Sequence, residues 1–267
     1  MSLTSFDPLF SLDKKRVIIT GAGGSIGSLV AEAMAARGAI VGLQDISAEK
    51  VEPVRSRIAA AGGTAVALVS DLSTADGASQ MVHAGATSLG GLDVLVNGAG
   101  INRRKPIADV TPDDFDAIVA VNMRAVYFSS QAASDIMKPA GKGVIVNLSS
   151  LSARFSFNTI SVYAATKAAV SSMTRSCARE WAADGIRVNC IEPSVIKTEF
   201  TKPLWGEAHR QRWFDETTPV GRLARPEEMI GTIIFLASEA SSYITGQSIV
   251  IDGGILSGAD WDSYQDA

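Results

Sequence analysis

Seven short runs of Val, Ile and Leu recur along the chain, and between them apolar residues return every three or four positions. The runs predict strands at Arg16–Thr20, Ile40–Asp45, Ala65–Ser70, Asp93–Asn97, Val144–Leu148, Ile186–Ile191 and Ser248–Asp252. The longer stretches predict helices at Ile26–Arg37, Ala48–Ala61, Ala75–Leu89, Pro112–Met137, Ser161–Ala183 and Pro226–Ser238. Val144-Ile145-Val146 is apolar on both faces, as a strand in a parallel sheet covered on both sides requires. Strands alternating with helices through right-handed crossovers predict a doubly wound parallel α/β sheet with helices on both faces. No repeat, low-complexity tract or Pro/Gly/Ser linker interrupts the pattern, so residues 1–267 are expected to form a single domain. Ligands of such a sheet bind at the carboxyl ends of its strands.

The chemistry-bearing residues fall at those ends. The first strand runs into Thr20-Gly21-Ala22-Gly23-Gly24-Ser25-Ile26-Gly27. Gly21 permits a tight turn, Gly24 and its small neighbours let backbone approach a pyrophosphate, and Gly27 lets the helix pack on the strand. The helix start at Ser25 and Ile26 supplies free N–H groups and the positive end of the helix dipole. Asp45 ends the second strand, 24 positions after Gly21, where a carboxylate can accept both adenosine ribose hydroxyls and repel a 2′-phosphate. The glycine-rich loop offers no Lys or Arg for such a phosphate, so NAD is expected rather than NADP. Asp71, followed by Leu72, ends the third strand and can either accept from the adenine amino group or cap the next helix. Asn97-Gly98-Ala99-Gly100 is a second small-residue loop, after the fourth strand, where backbone can pass close to the cofactor.

Tyr163 and Lys167 are four residues apart, on one face of a predicted helix, and Ser150 lies thirteen residues before the tyrosine. An ammonium beside a phenol favours the phenolate and lowers its pKa from the ordinary value near ~10. A tyrosine tuned in this way exchanges protons near neutral pH, and the Ser150 hydroxyl can hold a carbonyl or alcohol oxygen in place. Asn122 lies on a stripe with Ile118 and Val126, a polar residue on an apolar helix face.

Bulk composition narrows the setting. Apolar residues make up 46% of the chain and charged residues 19%, enough apolar material for a sizeable core. The formal net charge is −4 and the basic residues are scattered, which argues against nucleic acid as a partner. No apolar run has the length of a membrane span, and the start Met1-Ser-Leu-Thr-Ser-Phe-Asp lacks the features of a secretory leader. Cys177 and Cys190 read as buried thiols in a reducing compartment, and His83 and His209 lie in no ligand-spaced motif, so no metal is expected. A cytoplasmic protein is the expectation.

Taken together, these motifs resemble the short-chain dehydrogenase/reductase family over about Lys15 to Gly254. The resemblance rests on the Thr20–Gly27 loop, Asp71, Asn97–Gly100, Asn122, Ser150, Tyr163, Lys167, Pro193 with Thr198, and Ile244-Thr-Gly-Gln followed by Asp252-Gly-Gly. It implies a Rossmann-type fold, a nicotinamide cofactor, and a catalytic set of Asn122, Ser150, Tyr163 and Lys167. It also implies that Asn122 passes protons to Lys167 through a backbone-linked water. Pro193, Val195, Ile196 and Thr198 match the segment that covers the nicotinamide, with Thr198 on its carboxamide. Homotetramers are usual in the family, and small residues such as Ala132, Ala133, Ala168, Ala169 and Ser171 fit close helix contacts. The chain departs from the pattern at Ser25 and Gly98, and at Pro193-Ser194, which follows an unexplained Glu192. A buried carboxylate there would need partners.

The expected reaction is NAD-linked hydride transfer to or from a secondary alcohol or ketone. A non-enzymatic dinucleotide sensor would need no proton donor, so the complete Ser150, Tyr163 and Lys167 set favours an enzyme. Arg103, Arg104 and Lys105 stand at the mouth of the expected pocket, and Arg154 follows Ser150. A guanidinium forks onto a carboxylate, so Arg104 and Arg154 are candidate contacts to a small acidic substrate. The Gly100-Ile101-Asn102-Arg103-Arg104 string resembles the gluconate 5-dehydrogenases and 2-deoxy-gluconate-type dehydrogenases of the family. A sugar acid or polyol is therefore expected, with a 3-oxoacyl thioester as the rival substrate. Trp205, Trp213 and Phe214 read equally as a substrate lid or a subunit contact.

Overall fold

The computed structural model describes residues 7–258. The amino-terminal residues read above for a secretory leader lie almost wholly outside them. The seven apolar runs form seven strands: β1 Arg16–Thr20, β2 Ile40–Asp45, β3 Thr64–Val69, β4 Val94–Asn97, β5 Gly143–Leu148, β6 Ile186–Pro193 and β7 Ser248–Ile251. All pair in parallel, in the order β3-β2-β1-β4-β5-β6-β7. The chain turns outward in opposite directions from β1 and β4, and the crevice above that reversal is where a doubly wound sheet takes its ligand.

Helices cover both faces, as the two-sided apolar strands require. One layer holds α1 Ser25–Ala35, α2 Ala48–Ala60 and α9 Ile230–Ala237, which bury Val30, Met34, Val54, Ile58 and Ile233 against the sheet. The other holds α3 Gly77–Leu89, α5 Ala125–Met137 and α6 Ser161–Trp181, which bury Met81, Val82, Ala133, Met137 and Ala178. No helix among the described residues is long and apolar enough to cross a membrane.

Three elements differ from their sequence reading. The helix expected over Pro112–Met137 is α4 Pro112–Val119, a π-helical turn at Ala120–Arg124, and α5. The widened turn is centred on Asn122, whose amide bonds across to a neighbouring loop instead of facing an ordinary helix neighbour. The segment 201–218 contains two short helices, α7 Lys202–Trp205 and α8 Ala208–Thr217, whose polar composition gives little periodic signal. The last predicted helix starts as a 3-10 turn, Pro226–Met229, and becomes α-helical only at Ile230.

Candidate active site

A cleft of about 550 Å³ runs along the carboxyl edge, from Gly21 and Asp45 at one end to Ser150, Tyr163 and Lys167 at the other. Its floor is built by backbone contacts that only small residues allow. Gly21 has φ +69°, and a Cβ there would stand 2.9 Å from the Ala99 Cα; a Cβ at Gly27 would lie 2.2 Å from the Gly21 carbonyl oxygen. Thr20 Oγ1 draws the two loops together by accepting from the N–H groups of Gly98 and Ala99, at 3.0 and 3.1 Å. The N-cap of α1 is Gly24, and no side chain caps this helix, not even Ser25. Its first-turn N–H groups therefore remain available beside a cradle of bare backbone, a fit to the pyrophosphate of a dinucleotide.

At the adenosine end, Asp45 is already engaged. Its Oδ2 accepts from Gly23 N–H at 3.2 Å, its Oδ1 accepts from Ile46 N–H at 2.8 Å, and Lys50 Nζ stands 3.4 Å from Oδ1. Lys50 also lines the cleft. Sequence reasoning missed it: the glycine-rich loop holds no cation, but the first turns of α2 carry Lys50 back over Gly23. Gln44 was missed too, and its Oε1 accepts from Gly21 N–H at 3.2 Å. Asp71 lines the cleft, exposed, and its Oδ1 caps the following turn by accepting from Ser73 N–H at 2.8 Å. The Ser73 hydroxyl first, and its N–H second, lower the Asp71 pKa from the ordinary carboxylate value. Leu72, Ala99, Gly100, Pro193, Ile196 and Thr198 line the same cleft.

Two residues expected at the cofactor face elsewhere. Asn97 is buried beneath the loop: its amide donates to Asn147 Oδ1 and Ser130 Oγ, and its oxygen accepts from Ser129. Val195 packs with Phe214 and Leu223 in a separate apolar cluster. Phe157, Leu204 and Trp205 join that cluster, and Trp213 meets the Phe157 ring edge-on at 6.2 Å. The aromatics of 201–218 are thus packed within the chain on one side, while Trp213 stays 44% exposed.

The reacting end gathers all four residues of the expected catalytic set. Asn122 is fully buried; its Oδ1 accepts from Ile101 N–H at 2.8 Å and its Nδ2 donates to Ile101 O at 2.9 Å. A Cβ placed on Gly100 would lie 3.5 Å from Asn122 Oδ1 and 3.7 Å from Lys167 Nζ, so these three sit together. Lys167 Nζ donates to Leu148 O at 2.6 Å and lies 5.6 Å from the centre of the Tyr163 ring. Ser150 Oγ accepts from the N–H and hydroxyl of Ser152 at 3.1 and 2.8 Å.

The ionisation of this group is not the one the spacing suggests. Crowding by protein pushes the Tyr163 phenol above its ordinary value, against the opposing pulls of the Ser150 hydroxyl and the Arg104 charge. Burial pushes Lys167 down, to about 8. In the protein alone, desolvation therefore opposes the charged form of both groups.

The cation string resolves into unequal parts. Asp114 holds Lys105 Nζ at 2.5 Å and Arg103 Nη1 at 3.3 Å, and also caps α4 through Thr111. Arg104 Nη1 is buried and has no partner among the described residues; neither do the amide atoms of Asn102. Arg154 donates through Nε to Glu192, a buried carboxylate that also accepts from Ser171 Oγ at 2.7 Å. Neither Arg104 nor Arg154 is part of the cleft lining. No group of three or more His, Cys, Asp or Glu side chains among the described residues could hold a metal ion.

Known proteins resemble this chain in sequence and fold. Residues 21–256 match the family described as Enoyl-(Acyl carrier protein) reductase. The chain is 36% identical to gluconate 5-dehydrogenase of Gluconobacter oxydans, over 94% of this chain and 98% of that one. It is 36% identical to 5-keto-D-gluconate 5-reductase of Escherichia coli K12, over 93% and 98%. A solved structure of gluconate 5-dehydrogenase from Burkholderia cenocepacia, in complex with NADP and tartrate, superposes with a TM-score of 0.91 at 35% identity, covering 94% of this chain and 99% of that one. The chain belongs to the short-chain dehydrogenase/reductase family. It is a nicotinamide-dinucleotide oxidoreductase acting on secondary alcohol or ketone groups.

Proposed function

We propose that this enzyme interconverts a sugar acid and its keto form, with hydride exchanged at a secondary carbon and NAD preferred over NADP. The observation that carries the reading is Arg104. Its neighbours Arg103 and Lys105 are spent on Asp114, whereas Arg104 keeps a buried, unpaired Nη1 close enough to Tyr163 to affect its ionisation. An unpaired buried donor is costly unless a ligand satisfies it, and a carboxylate satisfies a guanidinium best. Two relatives act, by name, on gluconate or 5-keto-gluconate, and the Burkholderia enzyme was solved with tartrate, another hydroxy acid.

When bound, the nicotinamide supplies the hydride acceptor or donor. Ser150 Oγ holds the substrate oxygen, and Tyr163 Oη takes up or returns its proton. Lys167, with Asn122 beside it, favours loss of the Tyr163 proton when it is charged and would anchor the nicotinamide ribose. Gly21, Gly24, Ser25, Ile26 and Gly27 receive the pyrophosphate. Asp45 receives the adenosine ribose, Asp71 and Leu72 the adenine, and Pro193, Ile196 and Thr198 cover the nicotinamide. Lys50 offsets part of the Asp45 charge, which makes the preference for NAD a moderate one. Arg154, committed to Glu192, is not proposed as a substrate contact.

We further propose a single domain and a cytoplasmic homotetramer. Ala132, Ala133 and Ser171 are buried within the chain and cannot serve as contacts between subunits. Phe115, Tyr127 and Phe128 on α4 and α5 are the exposed apolar groups that fit a two-fold interface. Light scattering tests the assembly, and a monomer at working concentration contradicts it. The substrate reading is tested by following nicotinamide absorbance with a panel of sugar acids, neutral polyols and 3-oxoacyl thioesters. Turnover confined to the thioesters would overturn it.

A further inference from the structure

Glu192 is 1% exposed, lies in β6, and takes no part in the chemistry described above. Its two oxygens face two different pieces of the site. Oε2 pairs with Nε of Arg154, the residue that closes the single turn Leu151–Ala153, which Ser150 caps. Oε1 accepts from Ser171 Oγ at 2.7 Å, on α6 one turn beyond Lys167 and two beyond Tyr163. Ser171 Oγ lies 2.8 Å from Ser149 Oγ, whose hydroxyl donates to Lys167 O at 2.8 Å. Glu192 also directly precedes Pro193 at the cleft wall. One carboxylate therefore joins the loop that carries Ser150, the helix that carries Tyr163 and Lys167, and the strand end that borders the cofactor.

An ion pair between a buried carboxylate and a half-exposed guanidinium is a weak source of stability, because desolvation consumes most of the attraction. What it supplies well is direction: a charge-assisted hydrogen bond from Nε to the carboxylate fixes geometry, and small displacements of reacting groups cost rate steeply. We propose that Glu192 is a positioning residue, which sets the distance between the Ser150 hydroxyl and the Tyr163 phenol through Arg154 on one side and Ser171 on the other. The inference rests on the reading of Ser150 and Tyr163 as the reacting pair, which a Tyr163→Phe variant tests by itself.

The experiment compares Glu192→Gln, Arg154→Met and the double variant in kcat, KM for both substrates, cofactor dissociation constant and thermal midpoint. Each single change is expected to lower kcat about tenfold, with cofactor affinity within about twofold of wild type. The double variant is expected to be no slower than the worse single, because both remove one link. Glu192→Asp should restore part of the lost kcat. Thermal midpoints separate a folding loss from a positioning loss, and Glu192→Asp, which keeps the carboxylate, decides the matter if Glu192→Gln or Arg154→Met does not fold. Single variants with kcat within twofold of wild type, or losses that multiply in the double variant, overturn the proposal. If Tyr163→Phe alone keeps turnover, the reading of the reacting pair fails, and that outcome is separate.

Discussion

Burial lowers the Arg104 guanidinium and raises the Tyr163 phenol from their ordinary values, and each of the two charges partly offsets that shift in the other. A guanidinium whose Nη1 has no partner among the described residues, near a phenol crowded by protein, is an arrangement that an anionic ligand would complete.

Replacing Tyr163 with Phe removes the proton carrier and leaves the pyrophosphate cradle and Lys167 in place. Turnover is expected to fall by ~10²–10⁴-fold. Cofactor affinity, measured by calorimetry, should stay within a few-fold of wild type. Near wild-type kcat in the purified variant would refute the assignment.

Lys167 gives a stability signature of its own. Its pKa falls from an ordinary 10.5 to about 8 on folding. Between those values the unfolded chain holds the proton more tightly, so the stability contributed at this site rises with pH across that window. Wild type measured against Lys167→Met should gain roughly 3 kcal/mol from pH 8 to above 10.5, without cofactor. Denaturant titrations showing a pH-independent difference would contradict the burial argument.

The proposed cofactor choice rests on two charges 3.4 Å apart, Asp45 and Lys50. Lys50→Ala removes the cation nearest the Asp45 carboxylate. It should raise KM for NADP about tenfold with little change for NAD. Asp45→Ala should narrow the NAD/NADP ratio of kcat/KM by relieving repulsion of the 2′-phosphate. Wild-type kinetics that already favour NADP would overturn the preference.

The sheet was legible because each strand is a local signal: two-sided runs such as Val144-Ile145-Val146 have few other uses. Their ends then placed Gly21, Asp45 and Asp71 at one edge. The pairing of Lys50 with Asp45 was not legible, because it depends on how α2 returns over Gly23. The inward turn of Asn97 was hidden for a related reason, since its partners Ser130 and Asn147 lie 33 and 50 residues away. Glu192 showed as an anomaly, and its partners Arg154 and Ser171 belong to two other elements. The burial that raises the Tyr163 phenol was not legible in the Tyr163–Lys167 spacing, because spacing carries no information about burial.

The central claim is that Arg104 receives a substrate carboxylate beside Tyr163. The most direct test is kcat/KM for a sugar acid and for the matching neutral polyol, in wild type and in Arg104→Ala. Loss of a charge-assisted hydrogen bond is worth about 1.5–3 kcal/mol, so kcat/KM for the acid should fall roughly 10- to 100-fold, mostly through KM. The neutral polyol should change by less than about threefold, because Arg104 is expected to make no charged contact with it. Equal losses on both substrates, or no loss on the acid, would show that Arg104 is not the carboxylate contact.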